Sequence, residues 1–183
     1  VTVDGDTSPC DMVIALANGA AGGEEIAEGT AAFSFFVEAL REVCRALARM
    51  IARDGEGATK FLTILVRGAR SPAEARKIGR AVGVSPLVKT AIFGGDANWG
   101  RIINAVGNAG VPIDPSTISI RLGGIPVCAR GAALPFQEDE VGAVLKGREI
   151  EIEIDLGIGD AEATVWSCDL SYDYVKINGS YRS

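Results

Sequence analysis

Glu56 stands between two glycines in the stretch Asp54-Gly55-Glu56-Gly57-Ala58-Thr59-Lys60-Phe61. A helical pattern ends just before it and an apolar run begins just after it. Glycines on both sides let the backbone turn sharply and bring a carboxylate to a partner without side-chain obstruction. That suits a cationic group such as the amine of an amino acid. A plain helix-to-strand connection has the same composition, so the residues alone leave both readings open. Near the other end, Asn178 lies in Tyr174-Val175-Lys176-Ile177-Asn178-Gly179-Ser180-Tyr181-Arg182-Ser183, which is polar and aromatic rather than tail-like. Its amide carries both donors and an acceptor, as an α-carboxylate or amide ligand would need. Ser183 adds a hydroxyl and the chain carboxylate. A strand that simply ends in solvent is the alternative here.

The chain has no histidine. This removes Ser-His-Asp and Cys-His catalysis and histidine-based zinc sites, unless another chain supplies the residue. Proton transfer then falls to Asp, Glu, Lys, Tyr, Cys or a terminal amine. The four cysteines, Cys10, Cys44, Cys128 and Cys168, are widely spaced with no C-x-x-C, which argues against zinc and for buried free thiols in a reducing compartment. The formal charge is -6 with a pI near 4.8, and no basic cluster is present that would track a nucleic-acid backbone. No apolar run is long enough to span a bilayer.

Other patterns fail on spacing. Gly55 to Lys60 is not a phosphate-binding loop, and Gly94-Gly95 to Gly100 lacks the dinucleotide fingerprint. Asp4, Asp6 and Ser8 begin like a calcium loop, but its central Gly is missing and its twelfth position is Ala15, so Asx-turn roles explain them better. Trp99 and Arg101 open a helix and read as packing and local hydrogen bonding, with an interface or ligand wall as the sharper alternative. Asn178-Gly179-Ser180 matches a glycosylation sequon and is read as chance.

The elements that must position these residues follow from periodicity. Ala31 to Arg53 is a helix: Phe33, Phe36, Val37, Leu40, Val43, Cys44, Leu47, Met50 and Ile51 form one apolar stripe, and Arg41, Arg45, Arg49 and Arg53 a solvated row on the other side. Lys60 to Val66 is expected to be a strand buried on both faces. Ser71-Pro72-Ala73-Glu74 and Ser85-Pro86 each open a helix, and Asn98 caps one running from Trp99 to Ala109. Val1 to Val3 is expected as a strand, Asp11 to Ala17 as a short helix, and Tyr172 to Ile177 as an extended segment. Ser116 to Leu122 and Ile125 to Ala129 form a hairpin, and Asp139 to Leu145 a short helix. Ile150, Ile152, Ile154 and Leu156 alternate with acidic residues in a half-solvated strand, with Ala163 to Leu170 as its partner. The fold class is α/β, or α+β, with residues 1–95 as one layered unit and 96–183 as a β-rich second part.

Six segments together are specific. Val1 to Ser8 (Val-Thr-Val-Asp-Gly-Asp-Thr-Ser), Leu16 to Gly19, Asp54 to Phe61, Ser85 to Ala91, Asn98 to Ile102 (Asn-Trp-Gly-Arg-Ile) and Tyr174 to Asn178 (Tyr-Val-Lys-Ile-Asn) resemble, in order and from end to end, the β chain of ornithine acetyltransferase, the glutamate N-acetyltransferase family of arginine biosynthesis. The resemblance implies a self-cleaving layered α/β sandwich whose precursor splits into α and β chains. The new N-terminal Thr of β is then the nucleophile and its own amine the general base, which needs no histidine. Acetyl passes from N-acetylornithine to that Thr and on to glutamate, with an oxyanion hole from the α chain. No metal or resident cofactor is implied; bifunctional members accept acetyl-CoA as a second donor. The implied setting is a cytoplasmic homo-oligomer of α/β units, with no membrane or nucleic-acid partner.

Residue by residue, Glu56 matches the family's substrate-binding glutamate, Asn178 its asparagine near the C-terminus, and Ser183 the position of a terminal binding Thr. The nucleophilic Thr belongs upstream of Val1; neither Thr2 nor Thr7 matches it, so this chain reads as a processed chain or a fragment that is inactive alone. Pro9-Cys10-Asp11 stands where Thr-Asn-Asp is usual, and Ala97 replaces a common Pro. A related self-cleaving aminopeptidase or amidase, and a non-catalytic binding subunit of the same fold, are the alternatives.

Overall fold

The computed structural model describes residues 1–180. Its frame is one six-stranded mixed sheet. The strands are β1 (Phe61–Ala69), β2 (Ser119–Leu122), β3 (Ile125–Ala129), β4 (Ala132–Ala133), β5 (Glu149–Asp155) and β6 (Ala161–Cys168), in the order β4-β3-β2-β5-β1-β6. Register aligns the apolar side chains on one face: Leu62 with Ile150, Ile64 with Ile152 and Val66 with Ile154, and across β2, Ile120 with Ile154 and Leu122 with Ile152. All of these are buried. Helices α2 (Pro72–Gly83), α3 (Pro86–Gly94) and α4 (Trp99–Gly107) pack on that side through Ile78, Val82, Val88, Ile92, Ile102 and Val106. Their starts follow the expected chemistry: Ser71, Ser85 and Asn98 each accept a backbone N–H three residues on, with Pro in the first turn of α2 and α3.

The opposite face carries Thr63, Leu65 and Arg67 beside Glu151, Glu153 and Asp155. Thr63 and Leu65 are half-buried, so β1 is not buried on both faces as its composition predicts. Strand β6 also differs from expectation. It pairs antiparallel with β1, not with β5, and β1 lies between them. The Leu156–Asp160 connection crosses the end of β1, where Leu156 and Ile158 donate to the Arg67 and Gly68 carbonyls. Gly159 makes this crossing practicable: a β-carbon there would stand 2.3 Å from the Ala69 carbonyl oxygen. The most apolar strand takes the interior position and the alternating strand sits beside it, a pairing that sequence adjacency does not reveal. Strands from both halves of the chain thus share one sheet.

Helix α1 (Ala31–Arg53) is present with Thr30 as its N-cap. Its last turn reaches the sheet: Ala52 is buried, Arg53 pairs with Glu149, and Arg49 and Arg53 lie over the Phe61 ring. Arg41 and Arg45 pair with Glu38 and Glu42 in a solvated row. The apolar stripe, however, is exposed at Phe36, Leu40, Val43, Leu47, Met50 and Ile51. Cys44 and Cys10 are exposed too, contrary to the expectation of buried thiols; Cys128 and Cys168 are buried, and all four are free. Asp11 to Ala17 forms no helix: Met12, Val13, Ile14 and Leu16 are exposed, Val13 at 96%. Val1 to Val3 forms no strand either, being tied to the sheet by the Thr2 N–H to Trp166 carbonyl bond. Finally, Tyr172–Ser180 is a helix, α6, rather than extended. Among the described residues no helix is long and apolar enough to cross a membrane. Helix α5 (Glu138–Leu145) packs through Val141 and Leu145 and matches its expected span.

Candidate functional site

The end of α1 passes into a β-turn closed by the Ala58 N–H on the Gly55 carbonyl, 2.9 Å. Glu56 occupies the second position of the turn and Gly57 the third, with φ +66°, where an L side chain is strained and glycine is not. The two glycines act differently. A β-carbon on Gly57 would meet the backbone of α6, and one on Gly55 would meet Cys168 Sγ at 2.9 Å and Val3 at 3.0 Å. Close packing on both sides holds the corner of the turn, and the exposed Glu56 carboxylate projects from it.

The structure brings Asn178 to Glu56. Asn178 Nδ2 donates to Glu56 Oε2 at 2.7 Å and to the Tyr174 carbonyl one helical turn back at 3.0 Å. Both partners can only accept, which sets the orientation of the amide and engages both of its hydrogens. Asn178 Oδ1 therefore remains as an acceptor, beside a carboxylate. Among the described residues, Glu56 Oε1 has no partner. Two acceptors side by side, one charged, form a receptor for N–H donors rather than for a carboxylate. This narrows the sequence reading of Asn178, which allowed a carboxylate ligand. Ser183, the third candidate, lies outside the described residues.

A second acidic group, Asp4, is tied to helix α6 beside the pair. Tyr174 Oη donates to Asp4 Oδ2 at 3.0 Å, and Asp4 Oδ1 takes the Asp6 N–H, the Asx turn expected from the sequence. Burial, then the bond to Asp4, holds the Tyr174 phenol above its usual range.

Beneath the turn lie residues that sequence reasoning missed. Asp169, 2% exposed, accepts the Thr59 and Lys60 N–H groups on Oδ1 (2.8 and 2.9 Å) and the Thr59 hydroxyl on Oδ2 (2.5 Å). Its own N–H donates to the Lys60 carbonyl. Ser171 Oγ donates to the Gly57 carbonyl and accepts the Asp173 and Tyr174 N–H groups at the start of α6. Lys89, also 2% exposed, donates to the Val3 and Cys168 carbonyls, 2.5 Å each, and to Ser167 Oγ. Burial lowers its pKa, against the opposing pull of Cys168, Asp169 and Asp4. Lys60 Nζ caps the carbonyls of Ile92 and Phe93 at the end of α3, and burial lowers its pKa too. No local pattern marks Asp169, Lys89 or Lys60, because their partners are distant in sequence; Ser171 alone also has local partners, at the start of α6. Trp99 and Arg101 follow their packing reading: Trp99 lies against the core, and Arg101 donates to the Leu87 carbonyl.

Two cavities, of about 290 and 270 Å³, lie away from the Glu56–Asn178 pair, one between Arg49 of α1 and the sheet face at Thr63 and Trp166, the other at Asp96 and Phe136. The pair itself is open. Among the described residues no group of Cys, Asp or Glu side chains gathers as metal ligands would.

The sequence profile of the ArgJ family matches residues 1–183. Over 183 residues the chain is 48% identical to the arginine biosynthesis bifunctional protein ArgJ of Geobacillus kaustophilus and 50% identical to that of Symbiobacterium thermophilum, covering all of this chain and 45% and 46% of those proteins. The crystal structure of the arginine biosynthesis bifunctional protein ArgJ from Bacillus halodurans is similar with a TM-score of 0.94 and 44% identity, over 98% of this chain and 85% of that one. The chain spans less than half the length of the curated relatives it matches.

Proposed function

Because this chain belongs to the ArgJ family, we propose that it forms the amine-binding part of an acetyltransferase that moves the acetyl group of N-acetylornithine to glutamate in arginine biosynthesis. The observation that carries the reading is the Glu56–Asn178 pair, which sets one carboxylate and one amide oxygen side by side. Glu56 holds the substrate ammonium by charge, and Asn178 Oδ1 accepts a second N–H. The bond to Asn178 also keeps the carboxylate in place, so less side-chain freedom is lost on binding.

The chemistry is carried by a threonine outside this chain, in the polypeptide that completes the family's length. Its hydroxyl attacks the acetyl carbonyl of N-acetylornithine, the hydroxyl proton passes through the threonine's own amine to the leaving ornithine nitrogen, and acetyl-threonine forms. The glutamate amine then attacks that ester, and the threonine hydroxyl is regenerated. The relatives' description as bifunctional supports acetyl-CoA as a second donor. The proposed partner is the α chain of the same precursor, within a cytoplasmic homo-oligomer of α/β units. Exposed apolar side chains along α1 and at Met12 to Leu16 support such a partner, since an apolar surface of this extent marks an interface.

The test is a Glu56→Gln variant of the full-length protein. A hydrogen bond to a charged group contributes roughly 1.5–3 kcal/mol, so the amino-acid KM should rise on the order of 10- to 150-fold with folding unchanged. Unaltered kinetics would remove Glu56 from the site.

A further inference from the structure

We propose that Asp169 and Ser171 are positioning residues for the Glu56–Asn178 pair: a buried two-point latch that sets the distance between the Glu56 turn and helix α6. The inference rests on the amine-binding reading above. Neither residue touches the pair. Asp169 holds the exit of the turn by three accepted bonds, from the Thr59 N–H, the Thr59 hydroxyl and the Lys60 N–H. Ser171, two residues on, holds the turn itself through the Gly57 carbonyl while accepting the first N–H groups of α6. One short segment, Asp169–Ser171, therefore grips both sides of the site: Glu56 next to its Gly57 contact, and Asn178 at the far end of the helix that Ser171 begins.

The rest of the local structure leaves this role to the latch. Glu56 and Asn178 are both exposed, so packing does not hold their side chains. Helix α6 has no buried side chain of its own. It is tied by the Tyr172 ring, edge-on to Phe93 at 5.4 Å, by the Tyr174–Asp4 bond and by Ser171. The Gly57 N–Cα–C unit already lies against the α6 backbone, and removing the Ser171 hydroxyl removes the bond that closes that contact. A carboxylate fits position 169 because three donors converge on it, and an ionised acceptor forms shorter, stronger bonds than a neutral one.

The experiment uses the full-length protein with Ser171→Ala, Asp169→Ala and Asp169→Asn. Backbone hydrogen exchange is read over residues 55–61 and 172–180, and steady-state kinetics over both amino-acid substrates. With Ser171→Ala, exchange in both segments should accelerate at least fivefold while strands β1 and β5 keep their protection. The amino-acid KM should rise about tenfold with kcat within twofold. Asp169→Ala should do the same, and Asp169→Asn, which keeps one acceptor oxygen, should recover most of the loss. A purely structural role would lower thermal stability and active fraction without splitting KM from kcat. Unchanged exchange in the two segments, or a loss confined to kcat, overturns the latch. Accelerated exchange in a protein that shows no acetyl transfer even unaltered would overturn the acetyltransferase reading alone, leaving the latch between turn and helix in place.

Discussion

Gly57 and Tyr174 approach so closely that a β-carbon on Gly57 would stand 2.4 Å from the Tyr174 backbone nitrogen. The contact joins a turn near the first third of the chain to its last helix, and side-chain motion cannot relieve it because the opposing atoms are backbone. Gly57 also has φ +66°, which costs an L residue about 1–2 kcal/mol by itself. Gly57→Ala should therefore destabilise the protein by more than that conformational cost and separate α6 from the turn. Gly55→Ala has its tight contacts with the side chains of Cys168 and Val3, meets backbone only at the ordinary 3.5 Å of the Ala52 carbonyl oxygen, and should cost less. Chemical denaturation of the two variants checks the ranking; an equal or reversed order would contradict the packing described.

Lys89 makes stability depend on alkaline pH. Burial lowers its pKa from the ordinary value near 10.5, so the native state releases the proton at lower pH than the unfolded chain does. Between those two values the unfolded state holds more protons, and stability rises with pH. The contribution is fully present above 10.5 and is lost as pH falls through the lowered pKa. Cys168, whose thiol burial raises, acts in the opposite direction, and Lys60 in the same one. A comparison in a Cys168→Ser background isolates the lysine: Lys89→Met should reduce the positive slope of unfolding free energy against pH. It should also lower stability at every pH, because the Val3 and Cys168 carbonyls lose their donor. An unchanged slope would mean that Lys89 stays charged in the fold.

The exposed stripe on α1 is the surface that the proposed α-chain partner would cover. Leu40 and Leu47 lie on it, 48% and 52% exposed, while Ala52 at its end is buried against the sheet. A charge buried in an apolar interface costs several kcal/mol unless paired. Leu47→Asp should therefore weaken association between this chain and the proposed α chain by at least tenfold. Arg45→Asp, on the solvated row, should change it little. Co-purification and sedimentation of the two variants read the difference; equal effects would place the interface elsewhere.

Helix starts were legible because their signals are local. Ser71, Ser85 and Asn98 each cap within three residues, Pro follows the cap in α2 and α3, and Glu74 joins it in α2. Strand β5 was legible from strict alternation, and the turn that carries Glu56 from its flanking glycines. The failures share one cause. Asp11 to Ala17 has a helical composition but finds no surface to pack on among the described residues. Tyr172 to Ile177 looks extended, yet Ser171 starts a helix there by capping its first N–H groups. Strand order was hidden because β1 enters between two strands that follow each other in sequence.

By itself, then, the sequence determined the mixed α/β class and the family, showed that this chain carries no histidine, and offered Glu56 and Asn178 as site candidates. Those depend on residue types and on spacings of a few positions. Only the tertiary structure decided that Glu56 and Asn178 meet, which atoms of the amide stay available, and that Asp169, Ser171 and Lys89 hold the two ends of the chain around one turn. Each of those contacts joins residues 79 to 122 positions apart or rests on one that does. Their geometry is set by the register of β6 on β1, which no local pattern encodes.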